Sequence, residues 1–172
     1  ECRIQAKIVK NLGIPVVTTM PEKEYTVIMD ALFGVGLNRE INGEYRKIVE
    51  EMNRRKGFKI AIDIPSGVHA ENGQILGVAF RADLTVTFQC EKLGMVLFPG
   101  SDCAGKIVIR KIGTDTSIFA HAQEVSYTLE RTDLSKMLTK RTPNTHKGSY
   151  GKVLMITGSQ GMAGAAFFSA LA

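Results

Sequence analysis

The sequence predicts an α/β fold organised on an open parallel sheet. Tyr25 to Asp30 (YTVIMD) is a near-continuous apolar run ending in an acid, the pattern of a parallel strand buried on both faces, and Phe58 to Ile62 (FKIAI) is a second strand that also leads to an acid, Asp63. Between them, Glu44 to Arg55 sets Ile48, Val49 and Met52 on one helical face and is followed by Gly57 as a stop. Asp30 and Asp63 lie 33 residues apart with that one helix between them, the length of a single βαβ unit. The crossover rule makes the two strands parallel and close.

The other elements follow in order. Ile4, Ile8 and Leu12 mark an amphipathic first helix that stops at Gly13, a residue suited to a left-handed C-terminal cap, and Ile14 to Val17 reads as a short strand. A loop, ALFGVGLNREING, joins the first long strand to its helix. After Asp63 come a turn at Pro65-Ser66-Gly67, a polar loop to Gly77, and strands at Leu84 to Phe88 and Lys106 to Ile112. Gly113 to Gln123 (GTDTSIFAHAQ) has no steady period and many small polar residues, so it is placed as the linker between domains 1–122 and 123–172. Beyond it the sequence predicts an extended Tyr127 to Leu129, a helix from Asp133 to Leu138, a basic loop (KRTPNTHKGSYGK) and a strand from Val153 to Thr157. A glycine-rich turn, GSQGMAG, then opens a last helix. The apolar stretch Gly161 to Ala172 is too short to span a bilayer and reads as a buried core helix. Both ends of the sequence cut through helical patterns, so a piece of a longer protein is expected.

Composition bounds the function. With 44% apolar and 23% charged residues, the 172-residue chain has the chemistry of one globular domain, or of one and part of another. Its three cysteines, Cys2, Cys90 and Cys103, have no C-x-x-C spacing, which speaks against a disulfide framework or thiolate zinc site and for a reducing, cytoplasmic compartment. No membrane segment is expected. The net charge of +5 is spread out, and Arg54-Arg55-Lys56 falls where a helix ends and its dipole favours cations. That makes it a helix terminus rather than a nucleic-acid patch, and no nucleic-acid partner is expected.

The two acids at neighbouring strand ends carry the strongest functional signal. Both project from the carboxyl edge of one sheet, where open α/β folds bind ligands. Acids also cap loops there, but two so close would repel unless a cation or hydrogen-bond donor intervened. Ser66, on the turn after Asp63, offers a neutral oxygen to a hard cation. Lys92 follows a predicted strand toward the same edge, where a lysine and a carboxylate can act as acid and base. The loop Gly34-Val35-Gly36-Leu37-Asn38-Arg39 fails as a dinucleotide fingerprint because Arg39 replaces the third glycine and the helix starts too late. It remains a loop whose bare backbone could approach a phosphate with Arg39 in reach. GSYGK lacks the spacing of a P-loop, Ser66 lacks the flanking glycines of a nucleophile elbow, and the three histidines lack zinc spacing. Glycines 158, 161 and 164 allow either ligand approach to a helix N-terminus or close helix packing.

These residues carry a resemblance. Asp30-Ala-Leu-Phe-Gly-Val-Gly-Leu, Asp63-Ile-Pro-Ser-Gly-Val and the segment around Lys92 resemble the YjeF-type N-terminal domain, the NAD(P)H-hydrate epimerase. Lys140-Arg, Thr145-His-Lys-Gly-Ser-Tyr-Gly and Gly158-Ser-Gln-Gly-Met-Ala-Gly-Ala resemble the start of the ribokinase-like, ADP-dependent NAD(P)H-hydrate dehydratase. The order is that of bifunctional nicotinamide-nucleotide repair enzymes. The resemblance implies a Rossmann-like three-layer parallel sheet lacking its first elements, followed by the beginning of a ribokinase-like α/β domain. It implies epimerisation of R- and S-NAD(P)H hydrate, coupled to dehydration with ADP or ATP. Potassium ligands would fall on Asp30 and Ser66, and substrate contacts on Gly34, Val35, Gly36, Leu37, Asn38, Arg39, Glu40 and Asp63. Gly164, Ala165 and Ala166 would touch the hydrated nucleotide in the second domain. Separately from the resemblance, the residues themselves suggest that proton transfer by Asp63 and Lys92 could open the C6–N1 bond of such a hydrate and let it reclose on the other face. A homo-oligomer is compatible with this family.

The sequence also departs from the family. The Asn-Gly-Gly-Asp loop, which supplies a further potassium ligand and phosphate contacts, is absent, and only the entrance to the dehydratase fold is present. Activity of this chain by itself is therefore an open expectation, and an uncovered sheet edge is expected to favour aggregation. Two rival readings are a ribokinase-like small-molecule kinase and a non-catalytic YjeF-type ligand- or protein-binding module.

Overall fold

Four parallel strands, β1 (Val27–Asp30), β2 (Phe58–Ile62), β3 (Leu84–Phe88) and β4 (Lys106–Arg110), lie side by side in chain order. They belong to the first of two separate compact units, Glu1–Val125 and Ser126–Ala172. The computed structural model describes residues 2–115, 117, 125–137, 142–146 and 148–171. Asp30 sits opposite Ala61, Ala61 opposite Thr85, and Thr85 opposite Ile107. The carboxyl ends of β1, β2 and β3 therefore adjoin, and Asp30, Asp63 and the Phe88–Lys92 turn share one edge as the βαβ spacing predicts.

Helix α1 (Cys2–Asn11) ends as its sequence requires. Gly13 turns left-handed (φ +68°), its N–H reaches the Lys10 carbonyl at 3.1 Å, and the Ile14 N–H reaches Val9 at 3.2 Å. Those two bonds make a Schellman cap. Helix α2 (Gly43–Arg54) crosses from β1 to β2, and its buried Val49 and Met52 join Ile28, Ala61, Phe80 and Ala82 in one apolar cluster. A second cluster, Ile64, Val68, Ala79, Met95, Cys103 and Ala104, gathers the loop after β2, a 3-10 turn (Leu93–Met95) and the short helix α3 (Ser101–Ala104). Asn53 pins α2 to that loop. Its Nδ2 donates to the Ala79 carbonyl and its Oδ1 accepts from the Arg81 N–H, both at 2.8 Å.

Several expectations need correction in this unit. Strand β1 is buried on one face only: Ile28 and Asp30 point inward, whereas Val27 and Met29 are 45% and 58% exposed. Among the described residues β1 is an edge strand, and α2 covers just one side of it. Ile14 to Val17 forms no strand and is exposed, because no described backbone pairs with it. Helix α2 stops before Gly57, with Arg55 already extended (φ −70°, ψ 145°). The Arg55 guanidinium accounts for this, since it pairs with Glu51 and donates to the carbonyls of Pro21 and Lys23 at 2.5 and 3.0 Å. The basic run thus sits at a helix end, where two of its three cations serve local structure, Arg54 also pairing with Glu51. Strand β4 ends at Arg110, as the Ile112 N–H turns to the Gln89 side chain instead.

The second unit contains α4 (Arg131–Met137) and α5 (Gly164–Leu171), with a bridge between Ser159 and Met162. The strand expected at Val153 to Thr157 is not formed. A parallel strand needs a hydrogen-bonding neighbour, the described residues of this unit offer none, and Val153, Leu154 and Ile156 are exposed. Helix α5 was expected to be buried, yet Phe167, Phe168 and Leu171 are exposed because no described sheet lies under them. The ribokinase-like sheet is therefore not built by the described residues. Leu138, Lys140, Arg141, Lys147 and most of the proposed linker lie outside the described residues. No described helix is long and apolar enough to cross a membrane.

Candidate functional site

The first part of the site is a buried carboxylate with a serine wrapped onto it. Asp30 ends β1 and is 1% exposed. Its Oδ2 accepts the Ser66 N–H at 2.7 Å, and its Oδ1 accepts the Ser66 hydroxyl at 2.7 Å and the Leu32 N–H at 3.2 Å. The Ser66 hydroxyl in turn accepts the Phe33 N–H at 2.9 Å and lies 3.3 Å from the Phe33 carbonyl. Gly67 makes this return possible. Its φ is +91°, and a Cβ there would strike the Val78 carbonyl, so only glycine fits. Burial pushes the Asp30 carboxyl above its usual range, although the bonds from Ser66 and Leu32 pull against that rise.

The oxygens that converge here are the Asp30 carboxylate, the Ser66 hydroxyl and the Phe33 carbonyl. No three His, Cys, Asp or Glu side chains converge among the described residues. One carboxylate with neutral oxygens suits a hard cation of low charge better than a soft metal. On its chemistry the donor set is one that a hard cation could use.

The second part is an ion pair one strand over. Asp63 follows β2 with φ +70°, a left-handed conformation uncommon for a residue with a side chain. Such strain costs on the order of 1–3 kcal/mol and persists only where the surroundings enforce it. Here they do: the Asp63 N–H donates to Val86 at 2.8 Å, and its Oδ1 accepts the Phe88 N–H at 3.2 Å and lies 3.3 Å from the Thr87 hydroxyl. The Lys92 ammonium completes the set by pairing with the same Oδ1. Lys92 also donates to Thr87 Oγ1 at 2.8 Å and to the Phe88 carbonyl at 3.0 Å, so all three of its N–H groups are used. The Lys92 and Asp63 side chains are only 15% and 21% exposed. Gln89 (φ +64°) shapes the intervening turn, its side chain bonding Thr114 and Ile112. Ser66 and Leu32 serve Asp30 while Lys92 serves Asp63, so each acid has donors of its own.

The loop Gly34 to Glu40 leaves the first part directly through Phe33. All its residues are exposed except the half-buried Leu37, whose N–H closes a turn on Gly34 at 3.2 Å. Ile41 anchors the far end, 3% exposed and bonded to Leu76 at 2.9 Å. Phe33 meets Tyr45 edge-on at 5.1 Å. Gly34 and Gly36 have no positive φ and nothing within 4 Å of where a Cβ would stand. The chain's own fold does not require glycine there, which leaves the backbone bare toward solvent. Gly164, Ala165 and Ala166 open helix α5 in the second unit, and Gly164 also faces open space.

Two participants escaped the sequence reading, Thr87 and the Phe33 carbonyl. The segment LTVTF reads simply as a strand, yet period-2 alternation places Thr85 and Thr87 on one face, and both are fully buried. Two threonines directed into a core are the signal that could have found Thr87. A main-chain carbonyl leaves no mark in a sequence.

The family described as YjeF-related protein N-terminus matches residues 1–94, a span holding Asp30, the Gly34–Glu40 loop, Asp63, Ser66, Thr87 and Lys92. The bifunctional NAD(P)H-hydrate repair enzyme Nnr of Thermofilum pendens is 44% identical over 141 residues, 82% of this chain and 26% of that protein. Its namesake in Dictyoglomus turgidum is 34% identical over 174 residues, 98% of this chain and 34% of that protein. The NAD(P)H-hydrate epimerase of Oenococcus oeni is 41% identical over 114 residues, 66% of this chain and 54% of that protein. The chain spans about a quarter to a third of the length of these bifunctional relatives and about half of the epimerase.

Proposed function

Because the chain belongs to the family of YjeF-related N-terminal domains, we propose that it is the epimerase part of a nicotinamide-nucleotide repair enzyme. Its substrate is NADH or NADPH hydrated at C6 of the nicotinamide ring, and it interconverts the R and S forms. The observation that supports this most directly is the Asp63–Lys92 pair, a carboxylate and an ammonium held together at the ligand-binding edge of the sheet.

The hydrate is a hemiaminal, so C6 can change hand by opening and reclosing. The Asp63 carboxylate takes the hydroxyl proton as the C6–O bond becomes a carbonyl. The C6–N1 bond breaks with its electron pair left on N1, and Lys92 supplies a proton to that nitrogen. Readdition of N1 to the other face of the aldehyde returns both protons. Asp30 and Ser66, with the Phe33 carbonyl, would hold a potassium ion whose charge offsets the buried carboxylate and draws in the substrate's phosphates. Gly34 to Glu40 would receive those phosphates on open backbone, with Arg39 alongside.

Residues 123–172 would begin the dehydratase domain, which removes water from the S form using ADP or ATP, with Gly164, Ala165 and Ala166 against the nucleotide. The unpaired Cys90 and Cys103 suit a cytoplasmic setting. A non-catalytic module would have no use for a strained aspartate braced against a lysine, and no observation favours a kinase.

The test is turnover of the R-hydrate of NADH by the full-length parent, in potassium and in tetramethylammonium. Conversion should depend on potassium and fall by roughly 100-fold or more in Asp63→Asn, the scale of general acid–base catalysis. Full activity of that variant, or no conversion by a folded parent, would refute the assignment.

A further inference from the structure

We propose that Thr87 is the positioning residue that holds Lys92 in place through both of its protonation states. The inference deepens the epimerase reading above and rests on it for one of its two readouts. A lysine ammonium is a point charge on a flexible four-carbon stem, so its place must be set by its acceptors. Two of the three acceptors of Lys92, Thr87 Oγ1 at 2.8 Å and the Phe88 carbonyl at 3.0 Å, come from strand β3. Thr87 is fully buried, so water cannot replace its hydroxyl. Its branched side chain is also stiff at χ1.

The hydroxyl differs from the other two acceptors in what it can do after a proton has left. Lys92 as an ammonium has only donors, so Thr87 Oγ1 accepts, and its own hydrogen points to Asp63 Oδ1 at 3.3 Å or to the Cys90 carbonyl at 3.4 Å. Once Lys92 has given its proton away, the amine carries a lone pair and the Thr87 O–H can turn to donate to it. A carbonyl cannot make that reversal. Thr87 thus keeps Nζ beside Asp63 through proton release and return, without touching the substrate.

The experiment compares Thr87→Val and Thr87→Ser in the full-length parent. In Thr87→Val, kcat for hydrate epimerisation should fall by about tenfold or more, the fold-change of one charge-assisted hydrogen bond. KM should stay within about twofold, because Thr87 does not meet the ligand, and Thr87→Ser should restore most of kcat. The second readout needs no turnover. Acetylation of Lys92 by an N-hydroxysuccinimide ester, followed by peptide mass spectrometry against surface lysines of the same chain, should speed up by about tenfold in the valine variant and little in the serine variant. Unchanged acetylation and unchanged kcat in a folded Thr87→Val protein would overturn the proposal. Faster acetylation with no hydrate turnover by any form, wild type included, would uphold the positioning role and refute the epimerase. Should Thr87→Val fail to fold, Thr87→Ala is read in the same way.

Discussion

Replacing Ser66 by alanine removes one oxygen that serves two partners at once. The hydroxyl donates to a fully buried carboxylate at 2.7 Å and accepts the half-buried Phe33 N–H at 2.9 Å. A hydrogen bond to a charged group contributes about 1.5–3 kcal/mol and the stranded N–H about 1 kcal/mol, so Ser66→Ala should lose roughly 2–4 kcal/mol at pH 7. With about 2 kcal/mol per molar urea for a domain of this size, the unfolding midpoint should drop by roughly 1–2 M. The loss also has a definite pH dependence. Asp30 already titrates above its usual range in the fold, and losing a donor raises it further. Between the unfolded value, about 3.9, and the raised folded value, the folded state holds a proton the unfolded chain has released. Stability linked to Asp30 is therefore fully present below the unfolded value and falls as pH rises through the folded one. The Ser66→Ala deficit should accordingly be smaller at pH 4 than at pH 7. Urea titrations followed by circular dichroism at 222 nm, in tetramethylammonium chloride so that no potassium competes, give both numbers. A deficit below about 0.5 kcal/mol at pH 7, or one that grows toward acid, would refute the reasoning.

Four further outcomes are expected. Asn53→Ala removes both clamps from α2 to Ala79 and Arg81 and should destabilise by about 1–3 kcal/mol in the same assay, with epimerase KM unchanged. Gly67→Ala forces a left-handed residue and a Cβ onto the Val78 carbonyl, so its unfolding midpoint should collapse. Gly36→Ala meets nothing and should be neutral or gain about 0.4–1 kcal/mol, while hydrate KM rises; equal effects of the two glycine substitutions on stability would contradict the geometry. Lys92→Met should cut turnover by roughly 100-fold or more and leave the Asp30 pocket intact, as read from an unchanged pH dependence of stability.

What was legible in the sequence is what depends on local pattern. YTVIMD and FKIAI announced two strands, and the acids after them marked one edge. Gly13 announced its cap, because each of these signals lies within a few residues of its effect. The failures share a different cause. Val27 and Met29 look like interior residues, but burial of a strand's second face is decided by whether another element arrives there. Val153 to Thr157 has the composition of a strand, yet a strand is a relation between two segments, and the described partner is missing. Thr87 reads as one more strand residue although Lys92 lies only five residues on, because the turn that brings the lysine back passes through a left-handed Gln89. The pairing of Asp63 with Lys92 is anticipated from the residues, because Lys92 follows a strand that leads to the same sheet edge. The left-handed backbone that aims Asp63 is not, because aspartate tolerates but does not advertise that conformation.

Strands lying in chain order give the site a schedule during synthesis. Asp30 leaves the ribosome 36 residues before Ser66, and Asp63 precedes Lys92 by 29. At about 5–20 residues per second, the first acid waits roughly 2–7 s for its serine, and the second nearly as long for its lysine. Until then neither carboxylate can be buried while charged without a penalty. Asp30 buried before the turn at Ser66 has emerged would lack the two donors that Ser66 supplies, and Asp63 would lack its lysine until β3 and the turn after it are made.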